Sequence, residues 1–567
     1  MRLMPATFAA AIPAAVPAAL SAALVILASP AQAADPATPA AMARYAEQLL
    51  DAQKLAADGP GVTVLVARGD QLLYKGARGL ASVELGVPMQ PDQLMRIGSV
   101  TKQMAAAALL KQIDEGKAGL DDPLSRFLPD YPNGAQITLA QLLNHTSGVK
   151  SYTGIAGYMG NPVRSDLSTA ELVKVFKDLP PDFAPGAKWA YNNSGYVLVG
   201  AVVEAISGKS WHESIDSLLL QPARISSIHY PAGDRLLKGM AQGYTVADGG
   251  RVVPAGLISM TQPHAAGALV ANTEGLWRWN EALHAGRLLS PALYTRMTTP
   301  EGAAQPQRYG YGIGVGSLRG QPLFSHGGGI HGFVSMLTYL PRTQTTVVIL
   351  RNSDGPGLPM DAVARKLAAF AIGEPFAEPQ PVAVTPAELT AAEGVYTRDG
   401  QPPRTLRVTD GRLHSQRGGG NSIALVPQGE GRYAFPDGLS WLQVERGSDG
   451  RTVALQVYSN GEAEPERWAR RGELPAGLSF ITLSPAQMQA LVGDYSAPEF
   501  SIRVFVDEQG RLKAQAPGQP AFELKASSPR RVHVPQVDAQ LDFSGDDGPA
   551  ATATLLQGTA RIVMARK

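Results

Sequence analysis

The sequence predicts an α/β chain of the α+β type: a large domain in which an antiparallel sheet is flanked by helices, followed by two small antiparallel β-barrel domains. Three observations carry this. Strand-like runs stand at both ends of residues 34–372 with helical stretches between them, a proline-rich segment follows, and the remaining chain repeats itself at an offset of 99 positions.

The first strands are Val62–Ala67 and Leu72–Tyr74, apolar runs joined across Gly69-Asp70 as a hairpin. Helices and loops occupy roughly 100 to 300. Strands return at Tyr311–Val315, Val334–Tyr339 and Thr346–Leu350, and a last helix, Met360–Ala371, is expected to pack on the sheet that these distant segments complete. Gly373-Glu374-Pro375-Phe376-Ala377-Glu378-Pro379-Gln380-Pro381 reads as a linker, placed at 373–383. Beyond it, Thr385-Pro386-Ala387-Glu388-Leu389 answers to Ser484-Pro485-Ala486-Gln487-Met488, Gly394-Val395-Tyr396 to Gly493-Asp494-Tyr495, and Gly411-Arg412-Leu413 to Gly510-Arg511-Leu512. Two copies of one module are implied, at 384–471 and 484–567 with a second linker at 472–483. Strands every ten residues or so suit an up-and-down barrel of about eight strands, whose closure removes exposed edges.

With 567 residues, 44% hydrophobic and 17% charged, the chain has ample core for two or three domains. A net charge of +1 without a basic run argues against nucleic acid or an anionic membrane as partner. Cysteine is absent, so disulfides and thiolate metal sites are excluded, and no His and acidic cluster has metal-ligand spacing; no cofactor or metal is expected. Arg2, an alanine-rich apolar stretch to Leu24-Val25-Ile26-Leu27, and Ala31-Gln32-Ala33 read as a signal peptide, residues 1–33, cleaved after Ala33. The expected mature protein is periplasmic or secreted, with no membrane contact after cleavage.

Chemistry is concentrated in Ser99-Val100-Thr101-Lys102. Positions i and i+3 share a helix face, so a hydroxyl nucleophile and an amine base can meet within one turn. The strong helix formers after Lys102, closed by Gly116, put Ser99 at a helix N-terminus, and the stripe Lys102, Ala106, Leu109, Ile113 turns the lysine inward, where burial favours the neutral amine. Ser147-Gly148-Val149-Lys150 has the same spacing, but Gly148 favours a loop, and this second match is read as chance. Two further motifs follow. Phe183–Tyr196 holds Tyr191 and Asn193 on a loop ahead of an apolar helix beginning near Tyr196, and His326-Gly327-Gly328-Gly329 lies at a strand edge where glycines let a substrate backbone approach.

In this order the three motifs, with Leu142–Gly148 and Ala266–Asn272, resemble the serine β-lactamase-related hydrolases, the family of class C β-lactamases, D-alanyl-D-alanine carboxypeptidases, D-aminopeptidases and esterases; the resemblance covers about 40–372. It implies a β-lactamase-like catalytic domain in which Ser99 is the nucleophile and Lys102 and Tyr191 share the base role, Tyr191 with its phenolate favoured by the lysine charge. It implies further that Asn193 binds the substrate amide and steadies Lys102, that His326, Gly328 and Gly329 contact substrate, and that the N–H groups of Ser99 and Gly329 form the oxyanion hole. Taken singly, Tyr191 reads as core, Asn193 as a helix cap and His326 as a turn residue. His145, His264 and His331 are left as packing or loop residues.

Penicillin-hydrolysing and carboxypeptidase members of the family carry lysine at the position of His326. A histidine, mostly neutral at pH 7, withdraws the anchor for a substrate carboxylate, so His326 resembles the D-aminopeptidases and esterases. Two trailing barrels resemble the D-aminopeptidase layout, which implies that they limit access to the cleft. The expected activity is cleavage of small peptides or amides, D-aminopeptidase-like; a carboxylesterase, a weak β-lactamase or DD-peptidase, and a non-catalytic penicillin-binding or cell-wall sensor protein are the alternatives.

Overall fold

Val62, Val64 and Val66 alternate with Leu65 and Ala67, and each set finds its own core. The computed structural model describes residues 37–231, 236–418, 420–472, 474, 480–497, 500–516, 521–534, 539–557 and 560–567; the expected signal peptide lies outside them. Helix α1 (Pro39–Ala52) leads into the hairpin β1 (Val62–Arg68) and β2 (Gln71–Arg78), then the long helices α2 (Thr101–Asp114) and α3 (Asn193–Ser207). Strands β3 (Gly314–Leu318), β4 (Gln321–Ile330), β5 (Phe333–Leu340) and β6 (Thr345–Arg351) and helix α4 (Met360–Ala371) end the domain. The sheet runs β3-β4-β5-β6-β1-β2, antiparallel throughout, so the first hairpin joins the last strand with Val64 opposite Ile349.

Val62, Val64, Val66, Val347 and Ile349 pack with Met42, Leu50 and Leu367 from α1 and α4, whereas Leu65, Ala67, Val348 and Leu350 share the opposite core with α2 and α3. A sheet covered on both faces explains why β1 and β6 read as unbroken apolar runs. Helix α2 differs from the expected amphipathic stripe: every residue from Thr101 to Leu110 is buried, because it lies at the centre of the helical layer with its small Ala105–Ala108 run against its neighbours. Strand β4 was not anticipated, since Pro322 and three glycines mask it; β3 begins at Gly314 and extends past the expected Val315 to Leu318.

Beyond the domain, the segment at 373–383 lies against its surface: Arg319 stacks on Phe376 at 3.8 Å and donates to the Glu374 and Pro375 carbonyls, and Lys366 pairs with Glu378 at 2.9 Å. Each repeat folds into nine strand segments in up-and-down order, the first (Gly394–Thr397) pairing with the last (Glu466–Gly472). The two end segments, Ile423–Ala424 and Val426–Gly429, flank one residue, Leu425, so the chain makes eight passes around a nearly closed barrel. The 99-residue offset reappears in the contacts. A capped helix precedes each barrel at Pro386–Ala392 and Pro485–Leu491. Tyr396 donates to Ala392 O at 2.7 Å as Tyr495 donates to Leu491 O at 2.9 Å, and Arg470 and Arg566 donate to the Glu393 and Val492 carbonyls.

One such tyrosine bond is worth about 1 kcal/mol. Tyr396→Phe is expected to speed amide hydrogen exchange about fivefold in the first barrel and leave the sheet of the large domain unchanged, with Tyr495→Phe doing the same in the second barrel; exchange mass spectrometry reads both.

Candidate active site

The turn that bears Ser99 depends on close backbone contact. Gly98 has φ +49, and a Cβ there would lie 2.9 Å from the Gly329 nitrogen, so the Gly98-Ser99-Val100 turn presses directly on β4. A Cβ on Gly328 would meet Ile97 O at 2.0 Å. The lack of a side chain at Gly328 thus allows the fit of strand against turn, while Gly329 lines the cleft with its Cβ direction open. His326–Ile330 lies beyond the pairing of β3 with β4, so the glycines do sit on an open strand edge, occupied by the Gly98-Ser99-Val100 turn.

Lys102, one helical turn on, is 0% exposed. Its Nζ lies 3.1 Å from Ser99 Oγ, 2.8 Å from Asn193 Oδ1 and 2.8 Å from Ala266 O. Burial pushes its pKa well below 10.5. In the neutral amine two N–H groups donate to Asn193 and Ala266, which leaves the lone pair for the Ser99 hydroxyl proton. The Ser147 match is a decoy: its segment is loop and Lys150 pairs with Asp182 at 2.7 Å.

Asn193 opens α3 instead of preceding it, because Asn192 is the cap, accepting from the Gly195 N–H at 2.9 Å. The Asn193 amide nitrogen donates to Thr153 Oγ1 at the cleft wall, 3.2 Å away. Tyr191 places its ring 4.8 Å from Lys102 Nζ. Its residue is 39% exposed, yet enclosure of the hydroxyl end raises its pKa above 10.0, opposed by a hydrogen bond with Ser99. Burial works against the expected phenolate, since it disfavours both the ionised tyrosine and the lysine charge that was to stabilise it.

His145 was missed as a site residue. Its carbonyl accepts from the Ala190 N–H at 3.1 Å and its Nδ1 from the Asn192 N–H at 3.2 Å, which clamps the backbone on both sides of Tyr191. Its ring lies 4.4 Å from that of Tyr191 and 4.9 Å from that of Tyr309, and its φ of +64 is costly for a residue with a Cβ. The only signal in the sequence was its place in Leu142–Gly148.

His326 is 8% exposed, with Nε2 2.8 Å from the Tyr309 hydroxyl and Nδ1 2.6 Å from Gly327 O. The carbonyl requires Nδ1 to donate, so Nε2 accepts from Tyr309. Both nitrogens are engaged within the protein, and through Nε2 the ring supports Tyr309. Burial, followed by the Lys102 charge, lowers its pKa to about 4.

The cleft against Ser99 is a cavity of about 420 Å³, and the residues lining it, among them Ser99, Thr153, Asn193 and Gly329, all fall between Gly98 and Asp354.

 No described barrel residue lines it. The first barrel contacts the catalytic domain through Arg308 with Glu462 at 2.6 Å and Arg365 with Asn460 O at 3.2 Å. Among the described residues no group of His, Asp and Glu is placed to hold a metal, and no helix is long and apolar enough to cross a membrane.

Burial also lowers the pKa values of His264 and His284 to about 3. The unfolded chain takes up a proton at each of these histidines near pH 6.5, whereas the native fold does so only near 3 to 4. Their contribution to stability is therefore complete above pH 6.5 and is lost as pH falls toward 4. Urea midpoints measured from pH 7.5 to 4.5 are expected to fall, and His284→Gln to flatten that slope.

Comparison with known proteins agrees with this geometry. The family described as Beta-lactamase matches residues 40–371. A D-aminopeptidase of Brucella anthropi is 26% identical over 80% of this chain and 82% of its own length, and a penicillin-binding protein of Bacillus subtilis is 24% identical over 71% of this chain and 93% of its own. The crystal structure of a D-stereospecific amidohydrolase from a Streptomyces species superposes with a TM-score of 0.50 at 28% identity, covering 56% of this chain and 95% of that one. The chain thus belongs to the beta-lactamase family and is a serine hydrolase of that fold.

Proposed function

We propose that the protein is an exported peptidase or amidase that forms an acyl-enzyme on Ser99, with the D-aminopeptidase-like preference for small substrates carrying a free amino end. The observation that carries this reading is Lys102, buried without a carboxylate partner and 3.1 Å from Ser99 Oγ. As the scissile carbonyl is attacked, the Ser99 hydroxyl proton passes to Lys102 Nζ and the Oγ–C bond forms. The oxyanion is held by the N–H groups of Ser99 and Gly329, each donor worth about 3 to 4 kcal/mol. The Tyr191 hydroxyl relays the proton from Lys102 to the departing amine. In the second half the same pair takes a proton from water, the acyl group leaves as the acid, and Ser99 is regenerated. His145 holds the Tyr191 segment for both steps.

The neutral His326 supports an amine-bearing substrate over one held by its carboxylate, and the similarity to D-aminopeptidases along most of the chain points the same way. Export rests on the residues 1–33 signature, and small molecules or peptides are the partners proposed.

D-Alanyl p-nitroanilide is expected to be hydrolysed, and Ser99→Ala to lower turnover by about 10⁴ to 10⁶. Lys102→Met is expected to fall by a similar order, with the folded state retained because the buried site accepts an apolar chain. Turnover unchanged in Ser99→Ala removes the site assignment. Hydrolysis confined to short-chain nitrophenyl esters or to a cephalosporin selects the esterase or β-lactamase alternative, and a Ser99 adduct persisting for hours on intact mass selects the binding protein.

A further inference from the structure

No described barrel residue lines the cleft, so the source of substrate preference is sought in the catalytic domain itself. Among the residues lining the cavity there is one carboxylate, Asp354, and no lysine or arginine. Its position is built. The Asp354 N–H donates to Tyr244 O at 3.1 Å, and two residues earlier Asn352, 0% exposed, binds the Gly61 N–H and the Leu80 and Gln242 carbonyls. Asp354 Oδ2 accepts from the Gly332 N–H at 2.8 Å, in the turn that directly follows Ile330 and His331 of the cavity wall. The neighbouring Arg351 donates to the Gly355 and Pro356 carbonyls and interacts with Asp354 by Coulombic attraction, without a salt bridge within 4 Å among the described residues. The carboxylate is thus oriented and exposed at the cleft, and no lysine or arginine lines the cavity beside it.

Gly329 and Gly332 are three residues apart, a span of at most about 10 Å. An acyl group whose carbonyl lies against Gly329 carries its α-nitrogen about 2.5 Å from the carbonyl carbon, and a second residue adds at most about 3.6 Å. With one hydrogen bond to a carboxylate oxygen, an ammonium on the first or second residue falls within that span. We propose that Asp354 binds the free ammonium of the substrate's acyl half, the terminal group of an aminoacyl or dipeptidyl unit. The inference rests on the reading that Ser99 is acylated, but not on the leaving group being an amine.

The test uses methyl esters in matched pairs, D-alanine against N-acetyl-D-alanine and glycyl-D-alanine against its N-acetyl form, with acid release followed in the full-length protein. Wild type is expected to prefer the free amine at least tenfold in kcat/KM in one pair, and the pair that shows it locates the ammonium on the first or second residue. Asp354→Asn, which retains an acceptor for the Gly332 N–H, is expected to lose that preference at least tenfold, mainly through KM. Should the variant not accumulate, the wild-type preference is measured from 10 to 500 mM salt, where screening is expected to reduce it. Absence of a preference in wild type, an unchanged preference in Asp354→Asn, or a salt-independent preference overturns the proposal. Failure of anilide turnover with the ester preference intact removes the peptidase reading alone.

Discussion

Burial of one amine organises this active site. Lys102 lies in the first turn of α2, whose residues from Thr101 to Leu110 are all buried, and its three contacts come from separate stretches of chain: Ser99 from the preceding turn, Asn193 from the start of α3 and Ala266 from a short helical turn. Each must arrive for the site to exist. A lysine side chain placed among apolar neighbours without a carboxylate favours the neutral form, and the same burial that makes it basic in function makes its surroundings intolerant of displacement.

The sheet supplies the second constraint. Because β1 and β6 are covered on both faces, the strand order is rigidly set, and β4 can present an open edge only where β3 ends. The Gly98-Ser99-Val100 turn fills that edge at backbone contact, which is possible only because Gly98 and Gly328 lack side chains. On the other side, His145 accepts the positive φ that lets one residue hold both flanks of Tyr191. Catalytic geometry here is the sum of close backbone approaches, with side-chain chemistry added at few points.

Much was legible because it is local. The Ser99 to Lys102 spacing lies within one turn, the first hairpin is a pair of apolar runs around a turn, and the barrel repeat is a direct self-similarity that reappears as Tyr396 and Tyr495 bonding the same carbonyl position. The start of α3 was misplaced because Asn192 and Asn193 are equally good caps as residue types, and only the Gly195 N–H chooses between them. Strand β4 escaped because its glycines and proline oppose strand propensity, and pairing on its β5 side overrides them.

The sequence by itself determined the reaction class, the order of domains and the repeat, since each is written in residues a few positions apart or in a copy of itself. Protonation and access were decided by tertiary structure. Whether Lys102 is neutral, whether Tyr191 is a phenol, and whether His326 faces substrate or Tyr309 all depend on which distant groups surround them, and desolvation is a property of that enclosure. The lining of the cleft was decided in the same way: only packing shows that its described lining comes from the catalytic domain, and that the first barrel meets that domain at Arg308 and Arg365.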